Sequence, residues 1–157
     1  MPNKHITSVE NDAAWAHNMN LYIESAGLLS RPSIMHVDVG ETGLWAKPKN
    51  DAKWRNFHRY PTQAWHQDDF VHPDVVLIDG RFRRACFITT FLMIEKPTIV
   101  LFDDYTDRHY YHEIERLAEP TETVGRMARF DLEPNSLPRR HLAWILDNYN
   151  KVAYGAS

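Results

Sequence analysis

The sequence predicts an α/β protein built around a mostly parallel sheet. Short β-type apolar runs alternate with longer helical patterns along the 157 residues, which is typical of strands joined by helical crossovers. Four of the strand candidates also end in an acidic residue. With 43% hydrophobic and 25% charged residues, the chain has the composition of a globular protein that can bury a core. We therefore expect residues 1–157 to form a single domain.

The first part of the chain contains two strand candidates separated by a helix. Asn11 or Asp12 is the predicted helix cap, and Gly27 is the predicted stop signal. Between them, apolar residues recur on one helical face. In chain order, the pattern predicts a strand over 5–10, a helix from the cap to about residue 26, a strand over 33–39, a loop over 40–58 and a short helix over 61–67.

The second part repeats the alternation with clearer boundaries. Gly125 is predicted to bend or turn the last strand segment, and Pro134 and Pro138 interrupt the chain before a final amphipathic helix. The elements predicted here are a strand over 74–78, a helix over 83–95, a strand over 98–102, a helix over 107–117, strand material over 122–132, a helix over 139–150 and a short edge strand in the tail.

Composition and charge exclude several classes of function. A formal net charge of -3 gives no case for nucleic-acid binding. Cys86 is the single cysteine, so an intrachain disulfide and a cysteine-based zinc site are excluded. The sequence has no signal-peptide pattern and no apolar stretch of membrane-spanning length. We expect a cytoplasmic protein without a membrane partner.

Acidic residues end the strand candidates TSVE, MHVD, VLID and LFDD. They are Glu10, Asp38, Asp79, and Asp103 with Asp104. In an open parallel α/β sheet, ligands bind outside the carboxyl ends of the strands. Each acid alone is also explained by the preference of aspartate for turns and helix caps. Four in succession favour one functional rim, with carboxylates suited to a ribose diol, an amine or a metal ion.

The segments ITSVENDAAW, HVDVGETGLW, PDVVLIDGRFRRACF, IVLFDDYTDRHYY and TVGRMARFDL resemble a bacterial branch of the class I S-adenosylmethionine-dependent methyltransferase-like proteins. The resemblance covers residues 5 to about 132. It implies a three-layer, Rossmann-like fold with helices on both faces of a mostly parallel sheet. It also implies S-adenosylmethionine as cofactor and a small molecule as methyl acceptor.

The resemblance assigns roles to individual acids. Glu10 matches the residue that binds the ribose hydroxyls, and Asp38 with Val39 matches the position that meets the adenine. Asp79 lies where the family binds the methionine part and the reacting centre, and Asp103 with Asp104 borders the acceptor pocket. The catalytic candidates are Asp79, Arg81 and Asp104: Asp79 orients a substrate group, Asp104 is the general base, and Arg81 binds an acidic substrate group through its guanidinium fork.

One departure from the family limits these roles. Family members begin with a strand and a glycine-rich GxGxG loop that wraps the cofactor, whereas this chain starts at the equivalent of the second strand. Its six glycines supply no such loop. We expect an incomplete domain, truncated at the N-terminus, that binds the cofactor weakly or not at all. The gap can be filled by direct pairing of the strand over 5–10 with the strand over 74–78, or by a strand from the tail KVAYGAS or from a second copy of the chain. We favour a compact sheet in which the gap is closed.

Two other functions remain open. The chain can be a non-catalytic remnant that dimerises or binds a protein partner through a bared sheet edge. A divalent-metal enzyme that uses Asp79, Asp103 and Asp104 is the less favoured alternative, and the prediction for this chain is that it holds no metal.

Overall fold

The structure is a computed structural model, and it describes residues 5–28, 32–136 and 138–151. Contacts divide the described chain into two compact units, one formed by the residues up to Val71 and the other by His72–Lys151. The edge strand predicted for the tail lies outside the described residues. No helix within the described ranges has both the length and the hydrophobicity needed to cross a membrane.

The first unit contains a two-stranded parallel sheet and a helix. Strand β1 (Ile6–Glu10) pairs with β2 (Pro32–His36), and helix α1 (Ala13–Ser25) connects them. Asp12 is the N-cap, and its carboxylate accepts a hydrogen bond of 2.9 Å from the amide of Trp15. The predicted strand over 5–10, the helix and one of the two proposed caps are therefore confirmed.

Strand β2 is shorter than the sequence indicates. Its ladder stops at His36 because that residue pairs with Glu10, the last residue of β1. The amide of Val37 still donates to the carbonyl of Glu10 at 2.8 Å, and the chain then leaves the sheet. The other helices described in this unit are short: 3-10 helices Leu44–Ala46 and Trp54–Asn56, helix α2 (Arg59–Thr62) and 3-10 helix Gln63–His66.

The second unit contains a four-stranded sheet in the order β3-β4-β6-β5. Its strands are β3 (Val75–Ile78), β4 (Thr98–Phe102), β5 (Glu122–Val124) and β6 (Met127–Leu132). Its helices are α3 (Arg83–Met93), a 3-10 helix (His109–Arg116), a 3-10 turn (Arg139–His141) and α4 (Leu142–Asn150).

An aromatic core holds the second unit together. Phe87 of α3, Phe102 of β4 and Phe130 of β6 are fully buried. The rings of Phe87 and Phe130 meet edge to face at 4.7 Å between centroids. Phe102 also contacts Tyr105 and Tyr111 edge to face, at 5.6 Å and 4.9 Å. Edge-to-face pairs of this kind stabilise beyond simple burial, and this core fixes the end of β4.

The sheets depart from the mostly parallel arrangement that the sequence predicts. The β1–β2 and β3–β4 pairs are parallel, but β4–β6 and β5–β6 are antiparallel. Strands β5 and β6 are joined by a tight turn at Gly125, whose φ is 58°, and such a short connection permits only antiparallel pairing. The turn predicted at Gly125 is thereby confirmed.

Two further details concern strand β3 and the 3-10 helix that follows β4. Among the described strands, β1 pairs with β2 in the first unit and β3 pairs with β4 in the second. Val75 and Leu77 of β3 are 51% and 60% exposed, so the face of β3 on which they lie is open to water. The helix predicted over 107–117 is confirmed in position and has the 3-10 form over His109–Arg116. Tyr111 and Ile114 are buried at a spacing of three residues, and its amides bond back by three.

Candidate functional site

The parallel register of β3 and β4 brings three carboxyl groups together. Ile78 pairs with Phe102, so Asp79 and Asp103, the next residues, leave the sheet side by side. The amide of Asp103 also donates to the carbonyl of Ile78 at 3.0 Å. With Asp104 they form the carboxylate cluster, in which one oxygen from each residue lies within 4.8 Å of the others.

Asp103 and Asp104 are tightly paired with arginines. Arg126, from the turn between β5 and β6, donates to both oxygens of Asp103 at 2.9 Å and 3.0 Å. Arg108 and Arg83 contact the same oxygen of Asp104 at 2.8 Å and 3.1 Å. Bidentate guanidinium–carboxylate pairs are the strong form of this interaction. These two carboxylates are therefore neutralised and largely covered.

Asp104 adopts an unusual backbone conformation. Its φ is 57°, in the left-handed region that aspartate tolerates better than most residues. The residue that precedes α3, Phe82, has a φ of 51° and is left-handed as well. Phe82 lies in the turn after β3, and Asp104 lies in the turn after β4. Arg83 and Arg108, which follow these residues in sequence, both contact the carboxylate of Asp104.

Arg83 is the buried centre of the cluster. Its guanidinium donates to the main-chain oxygens of Gly80, Asp103 and Asp79 at 3.0, 2.7 and 2.9 Å. It also donates to the carboxylates of Asp104 and Asp79, at 3.1 Å in each case. Five donors thus meet five acceptors, the full capacity of an arginine side chain.

A hydrogen bond links the side chains of Asp79 and Asp103, and their pKa values move apart. Burial raises the pKa of Asp79, and a hydrogen bond with Asp103 raises it further. Burial also acts to raise the pKa of Asp103, but hydrogen bonds from Arg126 and Asp79 outweigh it and leave that pKa lowered. Of the two carboxyl groups, Asp79 therefore has the raised pKa and is the more ready to accept a proton, because only Asp103 has a bidentate guanidinium.

The carboxylate cluster does not fit a divalent metal ion. The spacing of the three carboxylates suits a cation. However, Arg83, Arg108 and Arg126 already donate to at least one oxygen of each of the three carboxylates. Three guanidinium charges balance three carboxylate charges, so a dication would have to displace arginines and face their repulsion.

Glu10 in the first unit is both a helix-start residue and a candidate ligand. Its Oε1 accepts hydrogen bonds from the amides of Asn11 and Asp12 at 2.7 Å and 2.8 Å. These bonds fix the side chain at the end of β1. Among the described residues, no hydrogen bond reaches Oε2, so one accepting oxygen remains for a hydroxyl group of a ligand, which fits a ribose diol.

Asp38 fits a ligand less well than Glu10 does. Its Oδ1 accepts from the amide of Gly40 at 2.9 Å, and its Oδ2 pairs with the ammonium group of Lys53. The hydrogen bonds to Lys53 and Gly40 lower the pKa of Asp38, so it is a fixed anion. Val39 beside it is fully buried and belongs to the apolar core of the unit, so its predicted contact with the adenine stays a prediction.

The sequence correctly indicated Asp79, Asp103 and Asp104 as neighbours but missed their arginine partners. Arg81 was selected because it directly follows the DG turn; it is half-buried, and its catalytic role stays a prediction. Arg83 instead enters the cluster, as the first residue of α3. Its position four residues after Asp79 was the one available signal, because so few residues separate the two side chains.

One comparison with known proteins identifies the family. The chain is 38% identical to a methyltransferase-like protein from Silicibacter pomeroyi DSS-3 whose structure is solved, with a TM-score of 0.85. The match covers 93% of this chain and 76% of that protein. The α/β architecture described above is therefore that of a methyltransferase-like protein, and the chain belongs to the methyltransferase-like family. No family model and no curated protein matches it.

Proposed function

We propose that this protein is an S-adenosylmethionine-dependent methyltransferase-like protein that acts on a small-molecule acceptor. The observation that carries the proposal is the relationship to a methyltransferase-like protein across 93% of the chain. The acids at the ends of β1, β3 and β4 support it, because ligands of open α/β sheets bind at the carboxyl ends of strands.

The cofactor-binding role falls to Glu10, Asp38 and Val39 of the first unit and to Asp79 of the second. Glu10 would accept a hydrogen bond from the ribose through Oε2, while Asp38 and Val39 would border the adenine. Asp79 would bind the ammonium group of the methionine part. The 157 residues contain no GxGxG loop, so we expect binding weaker than micromolar, because such a loop lets the backbone approach the cofactor closely.

The reacting role falls to residues of the second unit. Methyl transfer is a displacement at a sulfonium carbon, and the protein contributes mainly by positioning the reactants. Asp79 and Asp104 are the candidates to orient the acceptor and to take its proton. Arg81 is the candidate to bind an acidic group on the acceptor.

Isothermal titration calorimetry with S-adenosylhomocysteine tests the cofactor. We expect saturable binding with a dissociation constant above about one micromolar. Glu10→Gln should raise this dissociation constant roughly tenfold, because a charge-assisted hydrogen bond is lost. Asp131→Asn is the matched control, since Asp131 is an acid paired with Arg129 on the outer hairpin. Binding that is absent at millimolar ligand, or that is equally weakened by the control, would argue against the proposal.

A second candidate function is strand-mediated association with a protein partner or a second copy. It is favoured by β3, which has β4 as its only strand neighbour in the described sheet and exposes Val75 and Leu77. Parallel strands are normally covered, and a free apolar edge is a template for strand addition.

Light scattering coupled to size-exclusion chromatography tests self-association. If the β3 edge mediates it, Leu77→Lys shifts a dimer toward the monomer. Leu146→Lys, at an exposed leucine on α4, leaves the dimer intact. A monomer at all concentrations rules out the homodimer and leaves a different protein as the partner of this candidate.

A further inference from the structure

We propose that Arg83 is the positioning residue of this site, which presents Asp79 as the accessible carboxyl group while Asp103 and Asp104 serve as its ion-paired frame. The inference deepens the proposed methyl transfer and rests on it for the role of Asp79. It assigns the proton-accepting function to Asp79 rather than to Asp104.

The difference in exposure separates the three acids. The side chain of Asp79 is 57% exposed, whereas those of Asp103 and Asp104 are 7% and 12% exposed. Asp104 is also held by Arg83 and Arg108. Both guanidinium groups contact the same oxygen, Oδ2, and so occupy part of the surface through which Asp104 could meet a ligand. A ligand can therefore reach the carboxyl group of Asp79 more easily than that of either neighbour.

The contacts of Arg83 explain how Asp79 is held despite its exposure. Its guanidinium binds both the main-chain oxygen and the carboxylate of Asp79, and its side chain is only 4% exposed. The same group bonds to the main chain of Gly80 and Asp103. Tyr111 lies against it, with the guanidinium carbon 5.8 Å from the ring centroid. Arg83 is thus held by the ends of two strands and by a buried ring. Asp79 can turn away only if its two hydrogen bonds with Arg83 break.

The electrostatic surroundings of Asp79 give it a defined proton affinity. Burial, Asp103 and Asp104 raise the pKa of Asp79, and Arg83 lowers it. Arg126 also interacts with Asp79 electrostatically across the cluster. Removing the charge of Arg83 therefore moves the Asp79 titration upward, which gives a readout independent of any cofactor.

This arrangement fits an acceptor that carries a proton on nitrogen or oxygen. In the proposed reaction, the bond from the methyl carbon to sulfur breaks as the bond to the acceptor atom forms. The bonding electron pair stays on sulfur, which becomes a neutral thioether. The acceptor proton passes to the carboxylate of Asp79, so the acceptor class is an amine or a hydroxyl compound.

The test is a carboxyl-detected NMR titration of Asp79 in Arg83→Gln, Arg83→Lys and Arg84→Gln. Arg84 is a matched control because it is the next residue of α3 and pairs with Glu113 instead of the cluster. We expect Arg83→Gln to raise the titration midpoint of Asp79 by about one pH unit. We expect the Asp79 midpoint in Arg83→Lys to stay close to the wild-type value, because lysine keeps the positive charge. We expect Arg84→Gln to leave the Asp79 midpoint unchanged.

The outcomes separate this inference from the proposed function. An unchanged Asp79 midpoint in Arg83→Gln overturns the role of Arg83 whatever the cofactor result is. If Arg83→Gln does not fold, the Arg83→Lys variant decides. An Asp79 midpoint in this variant equal to that of the unfolded chain contradicts the inference, whereas a midpoint near the wild-type value supports it. Absent cofactor binding with the expected midpoints would reject methyl transfer and leave Arg83 as the positioning residue.

Discussion

The burial of Phe102 yields a prediction about the stability of the sheet that carries the carboxylate cluster. Phe102 is the last residue of β4 and is fully buried. Its ring contacts those of Phe87, Tyr105 and Tyr111. A buried aromatic side chain removes roughly 150–250 Å² from water, which is worth about 4–6 kcal/mol at ~25 cal/mol per Å². Alanine keeps a small part of this term, and the cavity adds a further loss. We expect Phe102→Ala to lower the free energy of unfolding by about 3–5 kcal/mol.

Urea unfolding followed by circular dichroism measures this loss, and hydrogen exchange of the β4 amides assigns it to the second unit. Val124→Ala is the control, because Val124 is 69% exposed on β5 and its truncation should change stability by less than about 0.5 kcal/mol. If Phe102→Ala does not fold, Phe102→Leu should cost less, about 1–2 kcal/mol. A loss below about 1 kcal/mol for Phe102→Ala, or equal losses in variant and control, would refute the reasoning.

Three further predictions concern a helix cap, a turn and the cysteine. Asp12→Ala should lower the free energy of unfolding by about 1 kcal/mol, because the carboxylate caps α1 through the amide of Trp15. That bond and one from Thr42 lower the pKa of Asp12. The loss of free energy of unfolding should therefore be full above the ordinary pKa of 3.8 and vanish as the pH falls through the lowered pKa. Urea titrations at several pH values measure this loss, and a pH-independent difference would contradict the assignment. Gly125→Ala should cost about 1 kcal/mol because the φ of 58° strains a Cβ, and Gly125→Asn should cost less; equal melting temperatures for glycine and alanine would argue against the turn. Burial raises the pKa of the Cys86 thiol to about 12, so Ellman's reagent at pH 8 should react slowly with the folded protein and rapidly in denaturant; rapid reaction of the folded protein would show an accessible thiolate.

Local sequence patterns located most of the regular elements. The strands over 74–78 and 98–102, the helix that begins at Arg83 and the turn at Gly125 lie where apolar periodicity and turn residues place them. These signals are local, since each depends on residues within one or two turns of chain. The same reasoning found the acids that end the strands, because their positions follow from the strand ends.

Other features depend on residues that are distant in sequence. The length of β2 is set by where β1 ends, and the 3-10 form of residues 109–116 is set by which side chains reach the aromatic core. The antiparallel position of β6 beside β4 is likewise decided by pairing across about 30 residues. Propensity carries little information on such choices, because tertiary packing overrides it.

The sequence by itself determined that Asp79, Asp103 and Asp104 end neighbouring parallel strands, and the family resemblance gave them an expected role. Only the tertiary structure decided what these acids contact. Arg83 reaches the main chain of Asp103, 20 residues away, and Arg126 reaches its carboxylate from 23 residues away. The charge balance of the cluster, and thus the distinction between a buried ion pair and an accessible carboxyl group, arises from these long-range contacts and from burial, which a linear sequence does not contain.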